Sequence, residues 1–173
     1  MNKRVLAQTI ALATAATGKA EVDFLTRSTP KRDELYGPLN AEGKLTIIDG
    51  SDPEYWEGRG FLSITPSMMG ELCIRLDRKN PYDVIVVRGL EIATQLLDAP
   101  DVLAKCWMYL TDIPQAVADY ALDERLILQR IAQGCHRLLC QTEGFRALWQ
   151  ALVPDLDNTK VRLYTPVIPD LPE

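Results

Sequence analysis

From Tyr82 onward, short apolar runs alternate with polar turns and stretches of helical spacing, and the cycle occurs three times. The runs are Asp83-Val84-Ile85-Val86-Val87, Lys105-Cys106-Trp107-Met108-Tyr109-Leu110 and Arg137-Leu138-Leu139-Cys140. Each closes on a polar cluster: Arg88-Gly89, Thr111-Asp112 and Gln141-Thr142-Glu143. Near-continuous apolar strands separated by helices are what a parallel sheet covered on both faces requires. The pattern predicts an α/β fold, a Rossmann-like three-layer α/β/α arrangement with a mostly parallel sheet. In such sheets ligands bind beyond the carboxyl ends of the strands. The three polar clusters therefore mark the expected site.

The helical stretches follow the same logic. Helices are predicted over 90–97, ended by Ala99-Pro100, and over 113–133, with Gly134 as the stop. A third is predicted over 143–152, where Phe145, Leu148, Trp149 and Leu152 form one apolar stripe that reads as core rather than as a cofactor box. Residues 160–164 form a last predicted strand. The tail beyond it carries Pro166, Pro169 and Pro172, which remove donors and favour extended backbone, as in an exit linker over 166–173.

Ahead of Tyr82 the pattern is looser. Residues 5–17 are rich in Ala and Leu and stop at Gly18, the pattern of a helix with a glycine cap. Lys3-Arg4 ahead of them resembles the start of a signal peptide, but the threonines and Gln8 favour an ordinary helix. Residues 21–26 alternate polar and apolar, as a strand does, and 45–48 form a second strand closed by Asp49-Gly50. Residues 29–43 read as a loop. Residues 51–65, with Trp56, Gly58 and Gly60, read equally as a binding loop or a surface connection. Pro66 opens a helix through Asp77, at a first turn where its missing N–H costs nothing.

Composition narrows the partners. At 173 residues, with 47% hydrophobic and 25% charged side chains, the chain suits one globular domain over 1–165. The formal charge of -5 falls in residues 81–173, because residues 1–80 hold 11 basic and 11 acidic side chains. No basic cluster exists to bind nucleic acid or an anionic membrane, and no run of about 18 apolar residues exists to span one. Cys73, Cys106, Cys135 and Cys140 form no Cys-x-x-Cys pair, so reduced thiols and a cytoplasmic setting are expected. Cys135, His136 and Cys140 lack the further ligands that zinc requires, so neither a metal nor another cofactor is expected.

Each polar cluster has two readings. Arg88 offers a planar fork of donors for carboxylate, phosphate or sugar hydroxyls, and Gly89 permits close backbone approach; alternatively, Arg88 pairs with a nearby acid and Gly89 only turns the chain. Asp112 can orient a hydroxyl or serve as a base, or can cap the following helix with Pro114 in its first turn. Thr142 and Glu143 suit a cap and a first-turn acid, or the lining of a cleft. There is no Gly-x-Gly-x-x-Gly, no Gly-Lys-Ser/Thr loop and no Gly-x-Ser-x-Gly elbow.

In this order the elements resemble the amino-terminal half of a GT-B glycosyltransferase, of the retaining group that uses nucleotide-sugars. Asp83-Val84-Ile85-Val86-Val87 is similar to a strand of that family that ends at the interdomain cleft. Tyr109-Leu110-Thr111-Asp112 resembles its strand-end polar pair before a long helix. Thr142-Glu143-Gly144-Phe145-Arg146 resembles a Ser/Thr followed by Glu-x-x-Arg, and 160–172 resembles the strand and proline-bearing linker. The match covers the second half of the chain well and the first half loosely. The family's glycine-rich first turn and its carboxy-terminal donor domain have no counterpart here, which implies a fragment whose first strand is missing or reduced to 1–5.

The resemblance implies an acceptor-side half domain, inactive alone, that meets a carbohydrate or glycolipid acceptor and reaches the nucleotide-sugar through the missing domain. Arg88, Gly89, Thr111, Thr142 and Glu143 would bind the acceptor, with Asp112 as the catalytic side chain. Such transferases need no metal in principle. A GT-B-fold sugar-nucleotide epimerase and a non-enzymatic flavodoxin-like binding domain are the alternatives. Fold likeness alone carries these functional expectations.

Overall fold

The computed structural model describes Ala16 and residues 19–29 and 45–164. The chain divides into two compact units, the first containing 19–29 and 45–65, the second 66–164. The predicted helix at 5–17, apart from Ala16, the loop at 30–43 and the tail at 166–173 lie outside the described residues.

In the first unit β1 (Val22–Thr26) and β2 (Leu45–Asp49) pair in parallel, with Val22 opposite Leu45 and Thr26 opposite Asp49. Beyond them the connection from Gly50 to Ile64 is pinned at both ends. Gly50 N–H donates to the Thr26 carbonyl at 2.8 Å, Ile64 N–H donates to the Arg27 carbonyl at 2.8 Å, and Arg27 Nε donates to the Ile64 carbonyl at 2.7 Å. A Cβ on Gly50 would sit 2.6 Å from the Thr26 carbonyl oxygen, so only glycine fits this crossing of two backbones.

The second unit holds a four-stranded parallel sheet flanked by helices, the mixed α/β, Rossmann-like class that the strand pattern predicts. Its elements are α1 (Pro66–Lys79), β3 (Ile85–Val87), α2 (Leu90–Gln95), α3 (Pro100–Leu103), β4 (Cys106–Met108), α4 (Leu122–Gly134), β5 (Arg137–Cys140), α5 (Glu143–Leu152) and β6 (Val161–Leu163). The strand order is β3-β4-β5-β6, all parallel. On one face of the sheet Val87, Cys106, Met108, Leu138, Cys140 and Val161 pack into one core with Leu96, Val102, Leu128, Ile131, Leu148 and Trp149. The opposite face alternates with it, and there Val86 is 45% exposed and Arg162 is exposed.

One helix departs from its predicted bounds at its start. The stretch over 113–133 is not one helix: residues 113–121 are irregular, with a single 3-10 turn at Val117–Asp119, and α4 begins at Leu122. The apolar spacing of 113–133 is interrupted near Asp123-Glu124, and that interruption marks the start of α4. Both acids lie in its first turn, where they suit the helix dipole, and Glu124 accepts the Ala121 N–H at 2.9 Å. The segment ahead is held by Tyr120 Oη donating to the Pro114 carbonyl at 2.5 Å and by Arg125 Nη2 donating to the Val117 carbonyl at 2.9 Å. Asp112 is therefore not the cap of α4. The helix predicted over 90–97 does end at Ala99, running through α2 and a 3-10 turn at Leu96–Asp98, and Pro100 then opens a further short helix, α3. Gly134 is the last residue of α4, where the sequence places the stop, and a Cβ there would meet Leu103 Cδ2 at 2.5 Å, so the glycine also allows close packing on α3.

Candidate functional site

Side-chain alternation along the parallel strands decides what collects at the carboxyl edge. Val86 lies opposite Trp107, Trp107 opposite Arg137, and Leu139 opposite Arg162. Two residues further on, Arg88, Tyr109, Gln141 and Tyr164 continue the same rows on the face turned away from the core. The ladder is extended past the strands by Tyr109 N–H to the Val87 carbonyl at 2.8 Å and Tyr164 N–H to the Cys140 carbonyl at 2.7 Å.

These four side chains meet. The Arg88 guanidinium carbon stands 5.1 Å from the centroid of the Tyr109 ring, a cation–π contact. Tyr164 meets the same ring edge-on, at 5.5 Å between centroids and 84° between planes. The Gln141 amide donates to the Tyr109 hydroxyl. Tyr109 is buried, while Arg88, Gln141 and Tyr164 are half-buried and present their remaining surface at the edge. Burial holds Arg88 below its ordinary pKa, and Tyr109, Asp112 and Tyr164 pull the other way; a guanidinium stays cationic regardless. Burial raises the Tyr164 phenol, Tyr109 adds to this, and the nearby Arg88 opposes it.

Gly89 turns the chain from β3 into α2 with φ 114°, a backbone region that side-chain-bearing residues avoid. It leaves the start of α2 with no side-chain cap of its own. Asp112 supplies the cap from the neighbouring strand end: its Oδ2 accepts the Leu90 N–H at 3.2 Å. A Cβ on Gly89 would find 3.7 Å to Asp112 Oδ2 and to Ile92, so Gly89→Ala meets backbone strain rather than a clash. That substitution is expected to cost about 1–3 kcal/mol, read as a lower urea midpoint with unchanged slope.

The structure thus brings Arg88, Gly89 and Asp112 to one place, with Thr111 half-buried beside Asp112. Thr142 and Glu143 serve the start of α5. Thr142 Oγ1 accepts the Phe145 N–H at 3.1 Å, and Glu143 pairs with Arg146 at 3.8 Å with its side chain 70% exposed. Tyr109 and Tyr164 were missed by sequence reasoning, and Gln141 was noted only as part of a turn. The available signal was a tyrosine at the end of each of two apolar runs, an amphipathic ring where a strand meets solvent.

The edge offers a guanidinium fork, a carboxamide, a phenol and a carboxylate, which together suit several hydroxyls of a ligand. Asp112 Oδ2 is already committed to Leu90, and its Oδ1 makes no hydrogen bond to the described residues. No group of three metal-ligating side chains occurs among the described residues. The cysteines are free, and burial pushes the thiols of Cys73 and Cys135 up to about 11 and that of Cys140 up to about 12. Such thiols behave as buried apolar groups rather than as nucleophiles or ligands. His136 stacks on Trp107 at 6.4 Å.

The first unit has an open cleft of about 480 Å³ at the carboxyl ends of β1 and β2, lined in part by Thr29, Asp49, Ser51, Asp52 and Phe61. Burial acts to raise Asp49, but hydrogen bonds from Ser51 and Thr29 outweigh it and hold the carboxyl below its usual range. The Trp56 indole donates to the Gly50 carbonyl at 2.7 Å and packs edge-on to Phe61 at 5.7 Å. The 51–65 segment is therefore internally braced.

The fold and this edge define the class: a parallel α/β protein whose polar residues gather beyond the carboxyl ends of its strands. Comparison with protein-family models, with curated proteins and with solved structures found no match. Among the described residues no helix is long and apolar enough to cross a membrane.

Proposed function

We propose that this chain is the acceptor-binding half of a GT-B glycosyltransferase, with the acceptor held at the carboxyl edge of the four-stranded sheet. The observation that supports the reading is the convergence of Arg88, Tyr109, Asp112 and Tyr164 at that edge. Arg88 and Gln141 donate to sugar hydroxyls, Asp112 accepts from one, and the half-buried Tyr164 ring offers an apolar edge to a pyranose face. Thr111 completes the polar rim. In the family resembled here the donor domain binds the nucleotide-sugar, so rate comes from holding the acceptor hydroxyl against that donor. Transfer then requires a polypeptide with both domains, and Asp112 orients the attacking hydroxyl.

The test is saturation-transfer NMR on this chain with a panel of simple glycosides, polyols and a nucleoside-diphosphate sugar. Glycosides are expected to bind weakly and the nucleotide-sugar no better. In Arg88→Ala the affinity for the best glycoside is expected to fall about tenfold or more, the worth of a hydrogen bond to a charged group. Binding of the nucleotide-sugar more tightly than every glycoside would overturn the reading.

A further inference from the structure

Arg88 follows β3, a three-residue strand at the edge of the sheet, and carries a flexible side chain. Such a group is a poor recognition element unless something fixes it, because an unrestrained arginine loses rotamer entropy on binding. What fixes it belongs to the neighbouring strands. The Tyr109 ring, on the segment after β4, lies under the guanidinium at 5.1 Å. That ring is 3% exposed, so it offers a ligand almost no surface of its own. Its orientation is set from two further strands: Gln141, after β5, donates to its hydroxyl, and Tyr164, after β6, packs edge-on at 5.5 Å.

We infer that Tyr109 is a positioning residue: it holds the Arg88 guanidinium ready at the carboxyl edge, and Gln141 and Tyr164 hold Tyr109. The inference rests on the acceptor-site reading for its purpose, since only there does a preset Arg88 serve binding. Its physical content stands apart from that reading. The platform needs a ring at position 109, and the hydroxyl of that ring is needed only for the tie to Gln141. Tyr109→Phe therefore keeps the stack and loses the tie, whereas Tyr109→Leu loses both.

The experiment follows the Arg88 Nε–H resonance in ¹⁵N-labelled protein, assigned by its disappearance in Arg88→Lys. Solvent exchange of that proton is expected to be slow in the parent chain and about threefold faster in Tyr109→Phe, which loses only the tie to Gln141. In Tyr109→Leu it is expected to accelerate about tenfold, the scale of a partly desolvated cation–π contact, while the backbone amides of Leu138 and Leu148 keep their positions. Should Tyr109→Leu fail to fold, Gln141→Leu replaces it, with a shifted Tyr109 ring spectrum and about threefold faster Arg88 exchange expected from a loss of about 0.6 kcal/mol of restraint. Unchanged exchange in a folded Tyr109→Leu, or in Gln141→Leu where that is the variant used, overturns the inference. Binding of the glycosides is measured separately. A chain that shows the exchange pattern but binds none loses the acceptor reading and keeps the positioning of Arg88 by Tyr109.

Discussion

Asp77→Ala is expected to lower stability by about 3–5 kcal/mol, the scale for removing one partner of a buried ion pair. Asp77 is 3% exposed near the end of α1, and both of its oxygens accept from Lys105 Nζ, at 3.0 and 2.9 Å. Its Oδ1 also accepts the Tyr82 N–H at 2.9 Å, so one carboxylate ties α1 to the turn before β3 and to the residue before β4. Truncation leaves the Lys105 ammonium, whose side chain is 31% exposed, with no acid beside it. Urea denaturation would show the loss as a lower midpoint at unchanged slope. Adding Lys105→Met to Asp77→Leu should recover the part that comes from the unpaired Lys105 charge, while the hydrogen bond from the Tyr82 N–H stays lost. A single Asp77→Ala variant within 1 kcal/mol of the parent would mean that water reaches this pair readily.

Trp149→Ala is expected to cost about 3–5 kcal/mol, as large-to-small changes of buried aromatic residues do. Trp149 is 1% exposed on α5 and shares the core with Leu128, Ile131, Leu138 and Leu148. α5 is only ten residues long, and its stripe of Phe145, Leu148, Trp149 and Leu152 is entirely buried. A helix this short owes its existence to that burial rather than to propensity. Loss of Trp149 should therefore loosen α5 as a unit, including the bond from Gln129 Nε2 to the Leu152 carbonyl at 2.9 Å. Hydrogen exchange checks this: amides of α5 should lose protection before those of β4 and β5. Equal loss across the unit would show instead that the core opens only globally.

The elements that sequence read well are those whose local signal and tertiary burial agree. The third helix was predicted over 143–152 and is Glu143–Leu152, because a capping Thr142, a first-turn acid and a complete apolar stripe all point the same way. β5 coincides with the apolar run Arg137–Cys140 for the same reason. The second helix failed at its start. Pro114 and the apolar residues Val117 and Tyr120 suit a helix locally, but Tyr120 is instead buried with its hydroxyl on the Pro114 carbonyl. Tertiary packing of one aromatic ring overrode the period. Gly134 reads as a stop in the linear sequence and is where α4 ends, but its close approach to Leu103, on a different helix, is visible only in the tertiary structure.

Of the candidate residues that the strand-end rule marks, the structure brings Arg88, Gly89 and Asp112 together, while Thr142 and Glu143 sit at the start of α5. Sequence reasoning misassigned what Asp112 caps: the helix after β3, not the one that follows it in sequence.

Apolar runs spaced by helical stretches determined, by themselves, a parallel α/β chain and the edge at which its polar residues gather, because backbone pairing and burial constrain those runs wherever they are placed. Register was decided only by the tertiary structure. Side chains alternate with a period of two, so a slip of one residue between β3, β4 and β5 would turn Arg88, Tyr109 or Gln141 to the other face. The core packing of Val87, Met108 and Leu138 sets that register. It is therefore the core face that brings the edge cluster together, and no single strand carries that information.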